Sequence, residues 1–142
     1  MKRSLVIILI LTTTASCMSQ QGITGKVVWI SGNQMPGPGN ENKPAKPVQR
    51  ELHIYKPTSL DQVKRLNGFY TDVQTEFVAK VVSNDKGAFT VALPPGEYSV
   101  FTKEPAGLFA NMFDGHGRIH VIEVKPQNFT EITFQVNYEA AY

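Results

Sequence analysis

After residue 22 the chain consists mainly of short runs in which apolar side chains recur at every second position. Glycine and proline residues separate these runs, and a helical repeat of apolar positions is nearly absent. Two-residue alternation is typical of strands that bury one face. We therefore predict an all-β fold, a seven-stranded antiparallel β-sandwich in which each sheet buries one face. The predicted strands cover residues 23–30, 51–56, 75–83, 88–93, 97–103, 119–124 and 129–138.

Four connections between the predicted strands can be interpreted from their residues. Residues 31–47 contain four prolines and three glycines, a composition that predicts a loop. Residues 84–87 (Asn-Asp-Lys-Gly) predict the turn of a hairpin, and residues 94–96 (Pro-Pro-Gly) predict a type II turn. One short helix is predicted over residues 59–66, because apolar side chains recur there at three-residue intervals from Leu60.

Three motifs in these strands and turns resemble the signature of carboxypeptidase regulatory-like domains. The motifs are residues 22–27 (Gly-Ile-Thr-Gly-Lys-Val), then Asp85, Gly87 and Phe89, then Leu93, Pro95, Gly96 and Tyr98. The last two predicted strands are also similar to the family over residues 121–136. The resemblance covers residues 22–138 and implies a prealbumin-like sandwich within a domain of residues 22–142. Modules of this family serve as adhesion, packing or binding units attached to enzymes and transporters.

The N-terminus has the features of an export signal. Two basic residues precede an unbroken apolar run over residues 5–11, and small residues then lead to Cys17. This arrangement resembles the lipobox of bacterial lipoproteins, whose cysteine is lipid-modified and becomes the first mature residue. The resemblance implies a signal peptide over residues 1–16, a tether over residues 17–21 and membrane attachment through the lipidated Cys17. We expect the protein in the bacterial cell envelope, as a lipoprotein of the outer membrane.

Charge and cysteine content exclude several classes of function. The chain carries 14 basic and 12 acidic residues, and removal of Lys2 and Arg3 with the signal leaves 12 of each. A neutral chain offers no basic field for nucleic acid. A single cysteine excludes an internal disulfide and a multi-cysteine metal site. The sequence contains no nucleophile elbow, P-loop or dinucleotide-binding motif, so we predict neither a cofactor nor catalysis.

Aromatic residues near the predicted loops form a candidate ligand-binding site. The candidate residues are Phe69, Tyr70, Phe109, Asn111, Phe113 and Asp114. Aromatic rings with polar neighbours are typical of surfaces that stack against a sugar or a peptide. The alternative interpretation is that the connection over residues 57–71 folds back and covers the rings as a satellite core. The expected partner, besides the membrane, is a carbohydrate, a peptide or an envelope protein.

A second hypothesis concerns the residues around the same loop. Asp114, His116 and His120 are residue types that bind metal ions, so the chain can alternatively be a small metal-binding protein or a metal-dependent enzyme. The competing interpretation is a glycine-rich hairpin with its turn at Asp114 and Gly115, in which the histidines have no shared role.

A third hypothesis is a self-cross-linked stalk module. Residues 94–106 are similar to the collagen-adhesin B-type repeat, in which a lysine of the first strand bonds to an asparagine of the last. Lys26 and Asn137 would be that pair here. The interpretation we favour is a non-catalytic, lipid-anchored envelope protein that acts as a binding or interaction module.

Overall fold

The computed structural model describes residues 20–39 and 44–142, and within them the chain is an all-β sandwich. Cys17 and the predicted signal peptide lie outside the described residues. A small sheet contains four strands and a large sheet contains seven, which confirms the predicted fold class. The strands are β1 (Gly22–Asn33), β2 (Lys46–Pro47), β3 (Glu51–Tyr55), β4 (Lys64–Leu66), β5 (Phe69–Thr71), β6 (Phe77–Val82), β7 (Ala88–Ala92), β8 (Gly96–Glu104), β9 (Gly107–Phe109), β10 (Val121–Val124) and β11 (Phe129–Ala141).

The small sheet is centred on β1, which pairs with β11 along one edge and with β2 and β7 along the other. The β1–β11 pair is parallel, whereas the sequence analysis predicted antiparallel pairing throughout. The two strands lie at opposite ends of the domain's sequence, so no tight turn forces them to run in opposite directions. Gly25 lets them approach closely, because a Cβ atom there would lie 1.8 Å from the carbonyl oxygen of Ile132.

The large sheet has the strand order β4-β5-β9-β8-β3-β6, and β10 pairs with the first half of β8. The described chain has eleven strands rather than the predicted seven, because β2, β4, β5 and β9 contain only two or three residues each. Alternation cannot be recognised in runs this short. The predicted hairpin at residues 84–87 is also wrong: the turn is present, but β6 and β7 belong to different sheets. The turn is closed by the Gly87 N–H, which donates to the Asn84 carbonyl at 2.9 Å.

The core lies between the two sheets and contains inward-facing side chains from both. Its fully buried members include Ile23, Val27, Leu52, Ile54, Tyr98, Val100, Phe134 and Val136. Along each strand these residues alternate with side chains that face away from the core, as the period of a strand requires. The Tyr98 hydroxyl donates a hydrogen bond of 2.5 Å to the carbonyl oxygen of Pro94, so the polar end of this buried ring is satisfied at the proline turn.

The connection between β3 and β5 packs on the outer face of the large sheet, which is the face turned away from the core. The helix predicted over residues 59–66 is wrong in extent: a 3₁₀ helix covers only Leu60–Gln62, and β4 follows it. Residues 64–66 pair with β5, so their backbone groups are not available to continue a helix. The fully buried Thr58 holds the connection in place, because its backbone N–H donates to Ser99 Oγ at 2.9 Å.

Candidate ligand-binding site

A row of side chains crosses the outer face of the large sheet. The strand register places Arg65 of β4 beside Tyr70 of β5, and Tyr70 beside Leu108 of β9. Leu108 in turn lies beside Lys103 of β8. Residues directly opposite each other in a sheet share one face, so the four side chains form a continuous row. Two cationic side chains occupy its ends, with an aromatic ring and an aliphatic side chain between them.

Aromatic rings form a second line across the same face. Phe77 contacts Tyr55 edge to face, with 5.4 Å between the ring centroids. Tyr55 contacts Phe101 at 5.8 Å, and Phe101 contacts Tyr70 at 5.9 Å. Phe101 and Tyr70 are buried, whereas Phe77 is exposed. The rings brace one another across four strands and give this face an apolar floor.

A groove of about 430 Å³ lies over this floor. Tyr55 and Tyr70 border it from below, and its walls are the residues that leave β5 and the turn between β8 and β9. The groove is shallow and largely open to solvent, so a ligand would lie across it rather than be enclosed. The lining residues are His53, Tyr55, Tyr70, Thr71, Asp72, Val73, Lys103, Glu104, Pro105, Ala106, Gly107 and Leu108.

The hydroxyl groups of Tyr55 and Tyr70 have no hydrogen-bond partner in the described part of the chain. Tyr70 is only 1% exposed; burial raises the pKa of its hydroxyl, and the charge of Arg65 opposes that rise. Burial likewise raises the pKa of Tyr55. Both phenols are therefore protonated at neutral pH and can donate hydrogen bonds. Neither hydroxyl is a fully buried atom, so each can meet water at the groove, and a bound acceptor would take the place of that water.

Some charged side chains around the groove have a partner of opposite charge, and others do not. His53 Nε2 lies 2.9 Å from Glu51 Oε1, and this hydrogen bond lowers the pKa of Glu51. Burial opposes the shift, whereas the charges of Lys80 and, more weakly, Lys103 add to it. Asp72 pairs with Lys64 at 3.3 Å. Lys103 itself makes no direct ion pair within residues 20–39 and 44–142. The groove therefore has an unpaired positive charge at its edge, while its acidic neighbours are engaged.

Behind the groove, Glu104 turns its carboxylate toward the core side. The side chain is fully buried, and both of its oxygens accept hydrogen bonds of 3.1 Å from Arg50 Nε. Oε1 also accepts a hydrogen bond of 3.0 Å from the Tyr138 hydroxyl. Burial, followed by this hydrogen bond, raises the pKa of Tyr138. The Arg50 guanidinium lies 5.5 Å from the centroid of the Trp29 ring, so Glu104 joins the large sheet to the small one.

The groove lies toward the end of the sandwich that is far from its N-terminus. The chain joins the small sheet at Gly22, the first residue of β1. Glu104, which borders the groove, bonds to Tyr138, and the Tyr138 ring packs on Trp29 at 5.2 Å. Trp29 lies seven residues beyond Gly22 in β1, about 23 Å along an extended strand. An anchor that precedes Gly22 would thus lie well away from the groove.

The aromatic residues of the predicted loop site do not converge on one concavity. Phe69 and Phe109 face inward, where they contact the Tyr138 ring at 4.9 and 5.2 Å. Tyr70 follows Phe69 in β5 and faces outward, so it borders the groove. Phe113 is 47% exposed in the loop after β9. The satellite-core interpretation fits the three covered rings, and Phe113 fits neither interpretation.

Asn111 and Asp114 make structural hydrogen bonds. Asn111 Nδ2 donates to Asn137 Oδ1 at 2.9 Å. Asp114 accepts the backbone N–H groups of His116 and Arg118 at 2.9 Å each, and Arg118 Nε at 2.5 Å. Burial opposes their effect, but the two backbone bonds and the guanidinium hold the pKa of Asp114 below its ordinary value. Asp114 organises a turn, which agrees with the hairpin interpretation of this loop.

The candidate metal ligands are not arranged around a common point. His120 is 5% exposed; its Nδ1–H donates to the Val100 carbonyl at 3.0 Å, and its ring packs on Phe134 at 4.8 Å. His116 is exposed in the preceding turn. Across the residues that the structure describes, no group of three or more His, Cys, Asp or Glu side chains could hold a metal ion.

Lys26 and Asn137, the candidate cross-linking pair, lie on neighbouring strands but not opposite each other. The β1–β11 register pairs Lys26 with Thr133, which is four residues and about 13 Å before Asn137. The Asn137 side chain is instead hydrogen-bonded to Asn111 and Tyr142. The described geometry does not bring the lysine and the asparagine into contact.

Of the six residues predicted as a ligand-binding site, only Tyr70 lines the groove. One signal of the site was nevertheless present, because Tyr55 and Phe101 stand on the strand faces opposite their apolar neighbours. An aromatic side chain on the face away from the core indicates a second packed or binding surface.

Comparison with known proteins adds no relative: no family model matches the chain, and neither curated proteins nor solved structures provide a match. In the described ranges, no helix is both long enough and apolar enough to cross a membrane.

Proposed function

We propose that the chain is a non-catalytic binding module of the bacterial envelope, held at the membrane by lipidated Cys17, with the outer-face groove as its ligand site. The observation that carries this proposal is that two unpartnered tyrosine hydroxyls border the same concavity, one of them on a residue that is 1% exposed. A hydroxyl that has no partner within the described chain is open to donate to a ligand. Two such hydroxyls beside one groove support a ligand with acceptor oxygens.

The position of the groove supports a role in capture at a membrane surface. Only four residues, 18–21, separate Cys17 from the first residue of β1 in the sequence. With the lipid at Cys17, the N-terminal end of the sandwich would face the membrane and the groove would lie about 23 Å farther along β1. The resemblance to carboxypeptidase regulatory-like domains also supports a binding module.

Binding without turnover is supported by the state of the ionisable side chains. His53 is bonded to Glu51, and Glu104 is bonded to Arg50. Groups that are already paired in this way are poorly placed to exchange protons with a substrate, which general acid–base catalysis requires.

The membrane anchor is tested with the full chain, exported by a bacterial host that processes lipoproteins. We expect the wild-type protein in the membrane fraction, with an intact mass raised by acyl groups. The Cys17→Ser variant should lose both properties, and the control Ser19→Ala should keep them. A wild-type product without lipid would contradict the anchor.

The groove is tested by filling it. Ala106 lines the groove and is exposed, so Ala106→Trp should block the site without disturbing the core. Ala92→Trp places the same side chain on the small sheet as a control. We expect at least one member of a panel of neutral oligosaccharides, acidic oligosaccharides and peptides to bind in calorimetry to the wild type and to Ala92→Trp only. Absence of binding throughout, or binding that persists in Ala106→Trp, would overturn the proposal.

A further inference from the structure

We infer that the groove binds an acidic carbohydrate, whose carboxylates contact Lys103 at the groove and Arg65 at the far end of the row, while its oxygens accept hydrogen bonds from the hydroxyls of Tyr55 and Tyr70. This inference rests on the proposed function of the groove and specifies its ligand class. It is carried by the charge at the two ends of the row, by the free hydroxyl donors and by the pairing of the strands below.

The two cations suit a ligand with repeated charges. Arg65 and Lys103 are separated in the row by Tyr70 and Leu108, which corresponds to three strand spacings or about 14 Å. Both are exposed, and neither forms an ion pair with any of the described residues. A ligand with one negative charge reaches only one end of the row, whereas a chain of acidic sugars reaches both.

The groove offers a carboxylate donors without repulsion. The hydroxyls of Tyr55 and Tyr70 can donate to carboxylate or hydroxyl oxygens of the ligand. The acidic side chains of the lining already have cationic partners: Asp72 forms an exposed pair with Lys64, and Glu104 directs its carboxylate to its partners on the core side. An acidic ligand therefore meets no unpaired negative charge in the lining.

The strands beneath the groove favour a sugar over a peptide. β3, β5, β8 and β9 are each paired along both edges, so their backbone N–H and C=O groups are used within the sheet. The open edges of this sheet belong to its end strands β4 and β6, so a bound peptide would find no strand edge over the groove itself. A sugar instead presents many oxygens to side-chain donors, and the groove offers the hydroxyls of Tyr55 and Tyr70 together with the Lys103 ammonium group.

The test is calorimetry with a short oligogalacturonate, using the full chain with Cys17→Ser so that it remains in solution. The comparison ligands are the methyl-esterified oligosaccharide, which has the same sugar rings without charge, and an oligoglutamate peptide of equal charge. We expect oligogalacturonate to bind, with an affinity that falls as salt rises. The ester and the peptide should each bind at least about tenfold more weakly than oligogalacturonate, because the loss of one charge-assisted hydrogen bond lowers affinity by about that factor.

Substitutions in the row distinguish this site from other surfaces. Lys103→Gln, Arg65→Gln and Tyr70→Phe should each weaken binding by about tenfold. Lys125→Gln, at an exposed lysine outside the groove, should not change it. Circular dichroism of the variants should match that of the wild type, because none of the three substituted residues donates a side-chain hydrogen bond within the described chain.

Each outcome separates this inference from the proposed function. Equal binding of the ester, or tighter binding of oligoglutamate, would overturn the acidic carbohydrate and leave the groove as a binding site. Failure of both oligogalacturonate and an oligoalginate of different linkage would also overturn the inference. The proposed function itself would fail only if no ligand in the wider panel depended on an open groove.

Discussion

Tyr98 and Tyr70 belong to the same sheet and are equally buried, at 1% exposure each, but their hydroxyls differ in hydrogen bonding. Tyr98 faces the core, and its hydroxyl donates to the Pro94 carbonyl at 2.5 Å. Tyr70 faces outward, and its hydroxyl has no partner among the described residues. The contrast extends to neighbouring charges, because Glu104 is satisfied on the core side whereas Lys103, which faces outward, makes no direct ion pair. On the inner face Tyr98 and Glu104 have partners within the protein, and Thr102 Oγ1 is the exception among the described residues. The outer face leaves the Tyr70 hydroxyl and the Lys103 ammonium group open to a ligand.

The largest expected effect comes from removing the hydrogen-bonded carboxylate of Glu104 on the inner face. Glu104→Ala removes the acceptor of Arg50 and of the Tyr138 hydroxyl. The free energy of unfolding should fall by about 3 kcal/mol, which is the lower end of the range for breaking a buried ion pair. The lower end applies because the Arg50 side chain is 30% exposed and can be solvated once its partner is gone. Urea denaturation measures the change. The control Glu123→Ala, at an exposed position, should stay within about 0.5 kcal/mol of the wild type. Equal losses in the two variants would contradict a structural role for Glu104.

A smaller effect on the same inner face depends on pH. Burial lowers the pKa of His120 below its ordinary value of 6.5, although the hydrogen bond to the Val100 carbonyl opposes the shift. Below pH 6.5 the imidazole of His120 therefore binds a proton in the unfolded chain but stays neutral in the folded chain until the pH approaches its lowered pKa. The free energy of unfolding should fall as the pH drops from 6.5 toward the folded pKa, by up to about 1.4 kcal/mol per pH unit.

Substitution of His120 separates this slope from general acid effects. Asn tolerates the positive φ of 40° at this position and does not titrate, so His120→Asn should flatten the slope between pH 6.5 and pH 5. His116→Gln, at the exposed histidine of the same loop, should leave it in place. Stability curves that are identical for His120→Asn and the wild type would argue against a buried neutral imidazole.

The smallest expected difference compares the two tyrosines directly. Tyr98→Phe loses a buried hydrogen bond and leaves the Pro94 carbonyl without its donor, so it should cost about 1 kcal/mol. Tyr70→Phe removes a hydroxyl that has no protein partner, and its free energy of unfolding should change by less than about 0.5 kcal/mol. Thermal and urea denaturation of both variants provide the comparison. A cost for Tyr70→Phe as large as that for Tyr98→Phe would mean that the outer hydroxyl serves the fold.

The inner face could be predicted from the sequence because its strands are long enough to show alternation. Leu52 and Ile54 in β3, and Tyr98 and Val100 in β8, lie on the buried face that the two-residue pattern indicates. β4, β5 and β9 were missed, because three residues cannot establish a period and their pairing depends on tertiary contacts. The prediction of a helix over residues 59–66 was wrong because residues 64–66 pair with β5, and this tertiary contact is not visible in the local pattern.

The groove could not be predicted from the same pattern. Its row brings together residues 65, 70, 108 and 103, which are neighbours only through the register of four strands. Register follows from packing over the whole sheet, and a list of apolar positions does not contain it. Phe69 and Tyr70 illustrate the limit, since their adjacent positions in β5 place them on opposite faces.

The measurement that tests the account most directly is an amide chemical-shift titration of the isotopically labelled chain with oligogalacturonate. We predict that the largest shifts fall on β5, on β9 and on residues 103–108, the elements that form the row and the groove wall. The loop over residues 110–120 should remain nearly unchanged. Shifts concentrated in that loop, or no shifts at saturating ligand, would contradict the outer face of the large sheet as the binding surface.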